Sequence, residues 1–171
     1  SVVRPTSAAR STPTNSDSLI PHQALTSQTW NRCEQLLRVF VLRIGQHPVD
    51  LTVFDERSGT LLAGDMVFLE HIPVVDGSLK GWLRALDQLA AIPAERVVPG
   101  HGPVSAWPAA LADERRYLET LAADIRALVK SGKPITAAAE HAAAAERPRW
   151  QLFDDYNARN ATAAFSEIEW E

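Results

Sequence analysis

The stretch that decides the reading runs from Asp50 to Val104. Two segments in it carry the weight: Thr60-Leu61-Leu62-Ala63-Gly64-Asp65 and Arg96-Val97-Val98-Pro99-Gly100-His101-Gly102-Pro103. Each is a short apolar run followed by glycine and a side chain that can ligate a metal. Glycine lacks a Cβ and permits a sharp reversal, so each run reads as a strand that ends in a turn and presents its ligand at the rim of a sheet. An oxygen donor and a nitrogen donor on two such rims facing one cleft suit a divalent cation, zinc above all.

Working outward, Val49 to Phe54 reads as the strand before Thr60, joined to it by the polar loop Asp55-Glu56-Arg57-Ser58-Gly59 in a β-hairpin. Leu36 to Ile44 is apolar and β-branched enough for another strand, cut off by Gly45-Gln46-His47-Pro48. Between the two key segments, Asp76-Gly77-Ser78 is a turn with Ser78 as N-cap. Leu79, Trp82, Leu83, Leu86 and Leu89 then recur at helical spacing up to Ile92-Pro93. Beyond them a long helix is expected to start near Trp107-Pro108 with Leu111, Leu118, Leu121, Ile125 and Leu128 as its stripe, and to stop at Ser131-Gly132-Lys133-Pro134. Ile135 to Ala145 is helix-prone, and Asn160 to Trp170 is expected to form a last helix. Strand, strand, helix, strand, helix is an α/β order, in which helices cover a sheet.

Composition narrows the partners. The chain has 171 residues, 46 % of them hydrophobic and 22 % charged, as in an ordinary globular domain, and its net charge of −4 offers nothing to nucleic acid or an anionic membrane. Its one cysteine, Cys33, excludes an internal disulfide framework. No run of about 18 apolar residues is present to cross a bilayer, and no apolar core of a secretion signal follows the N-terminal arginines. Residues Ser1 to Asn31, rich in Ser, Thr, Pro, Gln and Asn, read as a loosely attached arm. The expected organisation is an atypical arm over 1–46, an α/β half domain over 47–131 and a helical extension over 132–171.

Among residues able to do chemistry, Asp65 alone would be an ordinary turn carboxylate. His101 is packaged between glycines and prolines, and a core histidine has no need of that. His47 is a candidate third ligand, and a loop histidine beside a proline accounts for it equally well. His22, His71 and His141 have no partner spacing and read as loop or solvent-facing residues. Asp50 and Asp55 read as strand-edge and turn carboxylates. No phosphate loop, dinucleotide fingerprint, nucleophile elbow or paired-cysteine motif is present.

Gly64-Asp65 after a strand, then a helix, then Val97-Val98-Pro99-Gly100-His101-Gly102-Pro103 resembles the second half of the metallo-β-lactamase-fold hydrolases. Asp50-Leu51-Thr52-Val53, Gly59-Thr60-Leu61, Ala63-Gly64-Asp65, Asp76-Gly77-Ser78, Gly81-Trp82-Leu83 and the tail from Asn157 to Glu171 bring it nearer to the quinoprotein relay system zinc metallohydrolases. The resemblance covers roughly residues 50 to 171. It implies the C-terminal half of a four-layer αββα sandwich and a site for two zinc ions, with Asp65 as the bridging carboxylate and His101 as a terminal ligand of the second ion. It also implies a small-molecule ester, thioester or lactam-like substrate.

The family's first metal motif, His-x-His-x-Asp-His, is absent from the chain, and His47 lies one residue closer to Asp50 than the family's middle histidine lies to its aspartate. The expectation is therefore that the residues upstream of Asp50 are not the family's native N-terminal half, as after truncation or a frame shift, and that catalysis is impaired. Half a sandwich leaves one sheet face uncovered, which a partner, a second copy or the N-terminal arm would have to bury. The competing reading is a non-catalytic α/β module that associates through that face.

Overall fold

The computed structural model describes residues 26–32, 35–42 and 50–171. His47, the candidate third ligand, lies outside the described residues, as do His22 and Cys33.

Six strands form one sheet in sequence order: β1 (Thr26–Arg32), β2 (Gln35–Leu42), β3 (Asp50–Asp55), β4 (Thr60–Phe68), β5 (Arg96–His101) and β6 (Ser105–Ala106). Neighbours are antiparallel except β4 and β5, which run parallel because α1 (Leu79–Ala90) crosses between them. The hairpin of β3 and β4 turns at Gly59, which has a φ of 62° that favours glycine. The Asp55 carboxylate accepts hydrogen bonds from the Arg57 amide and the Ser58 hydroxyl inside this turn. The Ser58 hydrogen bond leads in holding the Asp55 carboxyl below its ordinary range.

One face of the sheet carries the core. Thr52 and Phe54 of β3, Leu61 and Ala63 of β4, and Val97 of β5 are buried there under the helices. Helix α1 starts as its sequence requires, with the Ser78 hydroxyl accepting from the Gly81 amide. It buries Leu79, Trp82, Ala85, Leu86 and Leu89, each large apolar side chain contributing about 1.5–3 kcal/mol relative to exposure. Helix α2 (Leu111–Lys130) follows, then α3 (Ile135–His141), a 3-10 turn (Ala144–Arg149) and α4 (Phe153–Ile168). Ala161, Ala164, Phe165 and Ile168 of α4 join the same core.

At the centre of the helical layer sits Asn160. Its carbonyl accepts from the Val75 amide, and its amide donates to the Pro73 carbonyl and the Tyr117 hydroxyl. The segment leading into α1 is thereby tied to α4. Glu167 does the same at the helix start, accepting from the Leu79 amide at 2.7 Å and from the Ser78 hydroxyl.

Among the described residues, no element covers the opposite face. Leu51, Leu62 and Val98 are 55 %, 46 % and 36 % exposed, and register aligns Val39 with Val53, Val53 with Leu62 and Leu62 with Val98 across four strands. Side chains alternate between faces along a strand, so this row and the core row are the two faces of one sheet.

Four local expectations are corrected. Thr26–Arg32, within the stretch read as an arm, forms β1, because the threonines and Trp30 suit a pleated strand and β2 offers seven residue pairs in register. Strand β4 does not end before Gly64-Asp65 but runs through them to Phe68 as an irregular strand. The last helix starts at Phe153 rather than Asn160, and the alanine-rich stretch stops its α-helix at His141. Ala143, with a φ of 56°, turns the chain out of helical geometry there.

Candidate functional site

The site grows out of a mismatch between β4 and β5. Leu62 pairs with Val98, Gly64 with Pro99 and Phe68 with His101, so β4 spends more residues than β5 over the same span. The surplus bulges outward, and Gly64, at a φ of 55°, takes the left-handed conformation that starts the bulge. Asp65 is the next residue, so its carboxylate stands clear of the sheet and is 69 % exposed.

Gly100 completes the approach from β5. A Cβ at that position would collide with the Asp65 carboxylate and come within 2.7 Å of the Gly64 carbonyl carbon. Only glycine lets the two strand ends close. Gly102 has the same role one step on: its φ is 99°, and a Cβ would lie 2.5 Å from the Leu69 carbonyl oxygen. The Leu69 amide donates to the His101 carbonyl at 2.8 Å, which locks the turn to the end of β4.

These constraints bring Asp65 Oδ1 to 3.6 Å from His101 Nε2, with the histidine side chain 44 % exposed. The contact is too long for a hydrogen bond, and both side chains are open to a ligand. The His101 ring stacks on Phe68, with centroids 4.6 Å apart and planes 9° apart. His71, read from sequence as a loop residue, is half-buried with its ring centroid 5.7 Å from that of His101. Phe68 and His71 are the residues sequence reasoning missed. His141, at the end of α3, lies 3.7 Å from Glu140 instead. A cavity of about 320 Å³ flanks the turn, bounded by Leu69, Glu70, Pro103, Ser105, Arg149 and Trp150 among others.

The Asp65–His101 spacing can be tested against zinc. Ligand bonds of about 2.0–2.1 Å at tetrahedral angles put two donor atoms roughly 3.3 Å apart. The pair therefore fits two corners of such a centre. Among the described residues, no group of three His, Cys, Asp or Glu could hold a metal ion, so a closed site needs donors beyond these two.

Beneath the site lies a second unusual group. Glu114, in the first turn of α2, is wholly buried, and neither carboxyl oxygen has a hydrogen-bond partner among the described residues. The Phe68 main chain is the one favourable group beside it, too poorly placed to form a hydrogen bond. Burial drives its pKa well above the ordinary carboxyl value. Glu146 is the opposite case. Burial pushes its carboxyl up, but hydrogen bonds from Arg116 and Trp150 outweigh that and hold it below the ordinary range.

Residues 34–101, which include both Asp65 and His101, match the model of the metallo-beta-lactamase superfamily. Among solved structures, a stereoselective inverting sec-alkylsulfatase from Pseudomonas sp. superposes with a TM-score of 0.66 at 14 % identity, over 82 % of this chain and 25 % of that one. A metallo-beta-lactamase from Pontibacter korlensis is 25 % identical over 55 % of this chain and 46 % of its own, with a TM-score of 0.49. A metallo-beta-lactamase family protein from Thermus thermophilus is 24 % identical over 84 % and 46 %, with a TM-score of 0.47. The chain spans less than half the length of each of these proteins. No curated protein matches it in sequence. The superfamily match is thus confined to residues 34–101, and the chain's α/β fold is that of half a metallo-β-lactamase-type sandwich.

Proposed function

We propose that this chain is the C-terminal half of a zinc-dependent hydrolase of the metallo-β-lactamase fold, of the quinoprotein relay type, and that Asp65 and His101 are its share of the metal centre. The observation that carries the reading is the 3.6 Å approach of Asp65 Oδ1 to His101 Nε2 over two glycines that exist to permit it. A structural carboxylate–imidazole pair would need neither the bulge at Gly64 nor the missing side chain at residue 100.

In this reading Asp65 supplies an anionic oxygen and His101 a neutral nitrogen, the donor types zinc prefers. Bound zinc would supply Lewis acidity and a nucleophilic water at neutral pH. Asp65 keeps an open approach because the bulge lifts it off the sheet. His101 keeps its ring plane because Phe68 lies flat against it. The substrate class is a small ester, thioester or lactam-like molecule, and the remaining donors come from outside the described residues.

Calorimetric titration with zinc tests this. Binding that is lost in both Asp65→Ala and His101→Ala is expected. Undiminished binding in either variant removes that residue from the centre, and no binding by the parent chain refutes the metal reading.

A second reading is favoured by one specific observation, the exposed apolar row of Leu51, Leu62 and Val98. Contiguous apolar surface of this kind marks association sites, and a non-catalytic module that pairs through this face would self-associate with concentration while ignoring zinc.

A further inference from the structure

We infer that His71 is a positioning residue for His101, acting through the aromatic face it offers and not through its nitrogens. The torsion that turns a histidine ring about its Cβ–Cγ bond is broad. An imidazole 44 % exposed at a strand end therefore does not hold one orientation unaided. His101 has two aromatic neighbours that can hold it. Phe68 lies parallel to it at 4.6 Å, which fixes the plane, and His71 meets it at 45° and 5.7 Å, which limits how that plane can slide or swing out. With both contacts in place, Nε2 is directed at Asp65 Oδ1.

His71 is itself held unusually firmly for a residue just past a strand. Its amide donates to the Leu69 carbonyl at 2.8 Å. It forms a parallel β-bridge with Gln151, built from the Gln151 amide donating to the Glu70 carbonyl at 2.8 Å and the Ile72 amide donating to the Gln151 carbonyl at 3.1 Å. The two residues flanking this clasp, Glu70 and Leu152, sit at φ of 67° and 59°. That conformation is unfavourable for side-chain-bearing residues and persists only where surroundings impose it. A chain that merely needed to leave β4 would not require a strained residue on each side of a bridge. The clasp fixes the backbone from which the His71 ring meets His101.

The inference deepens the proposed metal role of His101 in one arm of its test only. The first arm is metal-free: two-dimensional nitrogen–proton spectra of the imidazole rings of the full chain, comparing the parent with His71→Phe and His71→Leu, with His101→Asn to assign the ring. His71→Phe is expected to keep the His101 ring signals of the parent, and His71→Leu to shift or broaden them while the melting temperature stays close to that of His71→Phe. Unchanged His101 signals in His71→Leu overturn the inference. Equal disturbance in both variants overturns it too, since an aromatic ring alone would then not suffice. The second arm measures zinc affinity, expected to fall about tenfold in His71→Leu, the scale of a lost supporting contact around a ligand, and to hold in His71→Phe. Absence of zinc binding in the parent refutes the metal role of His101 and leaves the ring measurement to decide on His71.

Discussion

Replacing Glu114 by methionine is expected to stabilise the protein. The carboxyl is fully buried with both oxygens unpartnered among the described residues, and burial alone raises its pKa far above that of a free carboxyl. Burial therefore favours its protonated, neutral form in the native state. A buried neutral polar group without a hydrogen bond costs about 1–3 kcal/mol by mutational scales, and methionine fills a similar volume without that cost. In a chain of 171 residues, each kcal/mol moves the melting temperature by roughly 2–4 °C.

A pH signature separates this from simple repacking. The native state holds the Glu114 proton more tightly than the unfolded chain does, so across the window between the ordinary carboxyl value and the raised one the unfolded chain binds fewer protons. The cost of burying Glu114 is smallest below the ordinary value and grows as pH rises toward the raised one, at up to about 1.4 kcal/mol per pH unit. Urea melts of parent, Glu114→Gln and Glu114→Met across that range should show the parent losing stability relative to both variants. Parallel pH dependence in all three refutes the buried neutral acid, and a methionine variant less stable than the parent at moderate pH means the carboxyl is satisfied after all.

Three other outcomes follow from the geometry. Gly100→Ala should cost about 1–3 kcal/mol of stability, the usual scale for overpacking, because its Cβ has nowhere to go between the Gly64 main chain and the Asp65 carboxylate; thermal melts check this, and a neutral substitution would mean the strands part freely there. Asn160→Ala strips partners from the Val75 amide and the Pro73 carbonyl at once, so a loss of about 3–5 kcal/mol is expected in denaturant melts, and a loss under about 1 kcal/mol would show that the segment before α1 is held by other means. If the chain self-associates through its exposed apolar row, Leu62→Lys together with Val98→Lys should abolish concentration-dependent association in sedimentation runs while leaving thermal stability within about 1 kcal/mol; unchanged association would locate the contact elsewhere.

The parts of this molecule legible in its sequence are those with local causes. Ser78 caps α1, Gly132 stops α2, and the leucine spacing of α1 marks its buried face, because each depends on residues within a turn or two. The convergence of Asp65 and His101 was readable because each follows glycine at the end of an apolar run, although the strand bulges where a reversal was expected. The bulge depends on how many residues β5 supplies opposite, which β4 alone does not encode.

Nor could His71 be found from spacing, since its place beside His101 is set by Gln151 far along the chain. Glu114 did leave a trace. It falls between Leu111 and Leu118 on the buried stripe of α2, where a charged residue breaks the apolar period.

The bridge between His71 and Gln151 couples the segment around residues 144–152 to the position of the His71 ring beside His101. A helix-turn rearrangement there, an inserted residue ahead of Trp150 or a glycine in place of Leu152, would shift the His71 ring against His101 without altering either residue. The geometry of the Asp65–His101 pair can therefore be altered from a stretch of chain some fifty residues beyond His101, which mutagenesis confined to that pair and its strand ends would overlook.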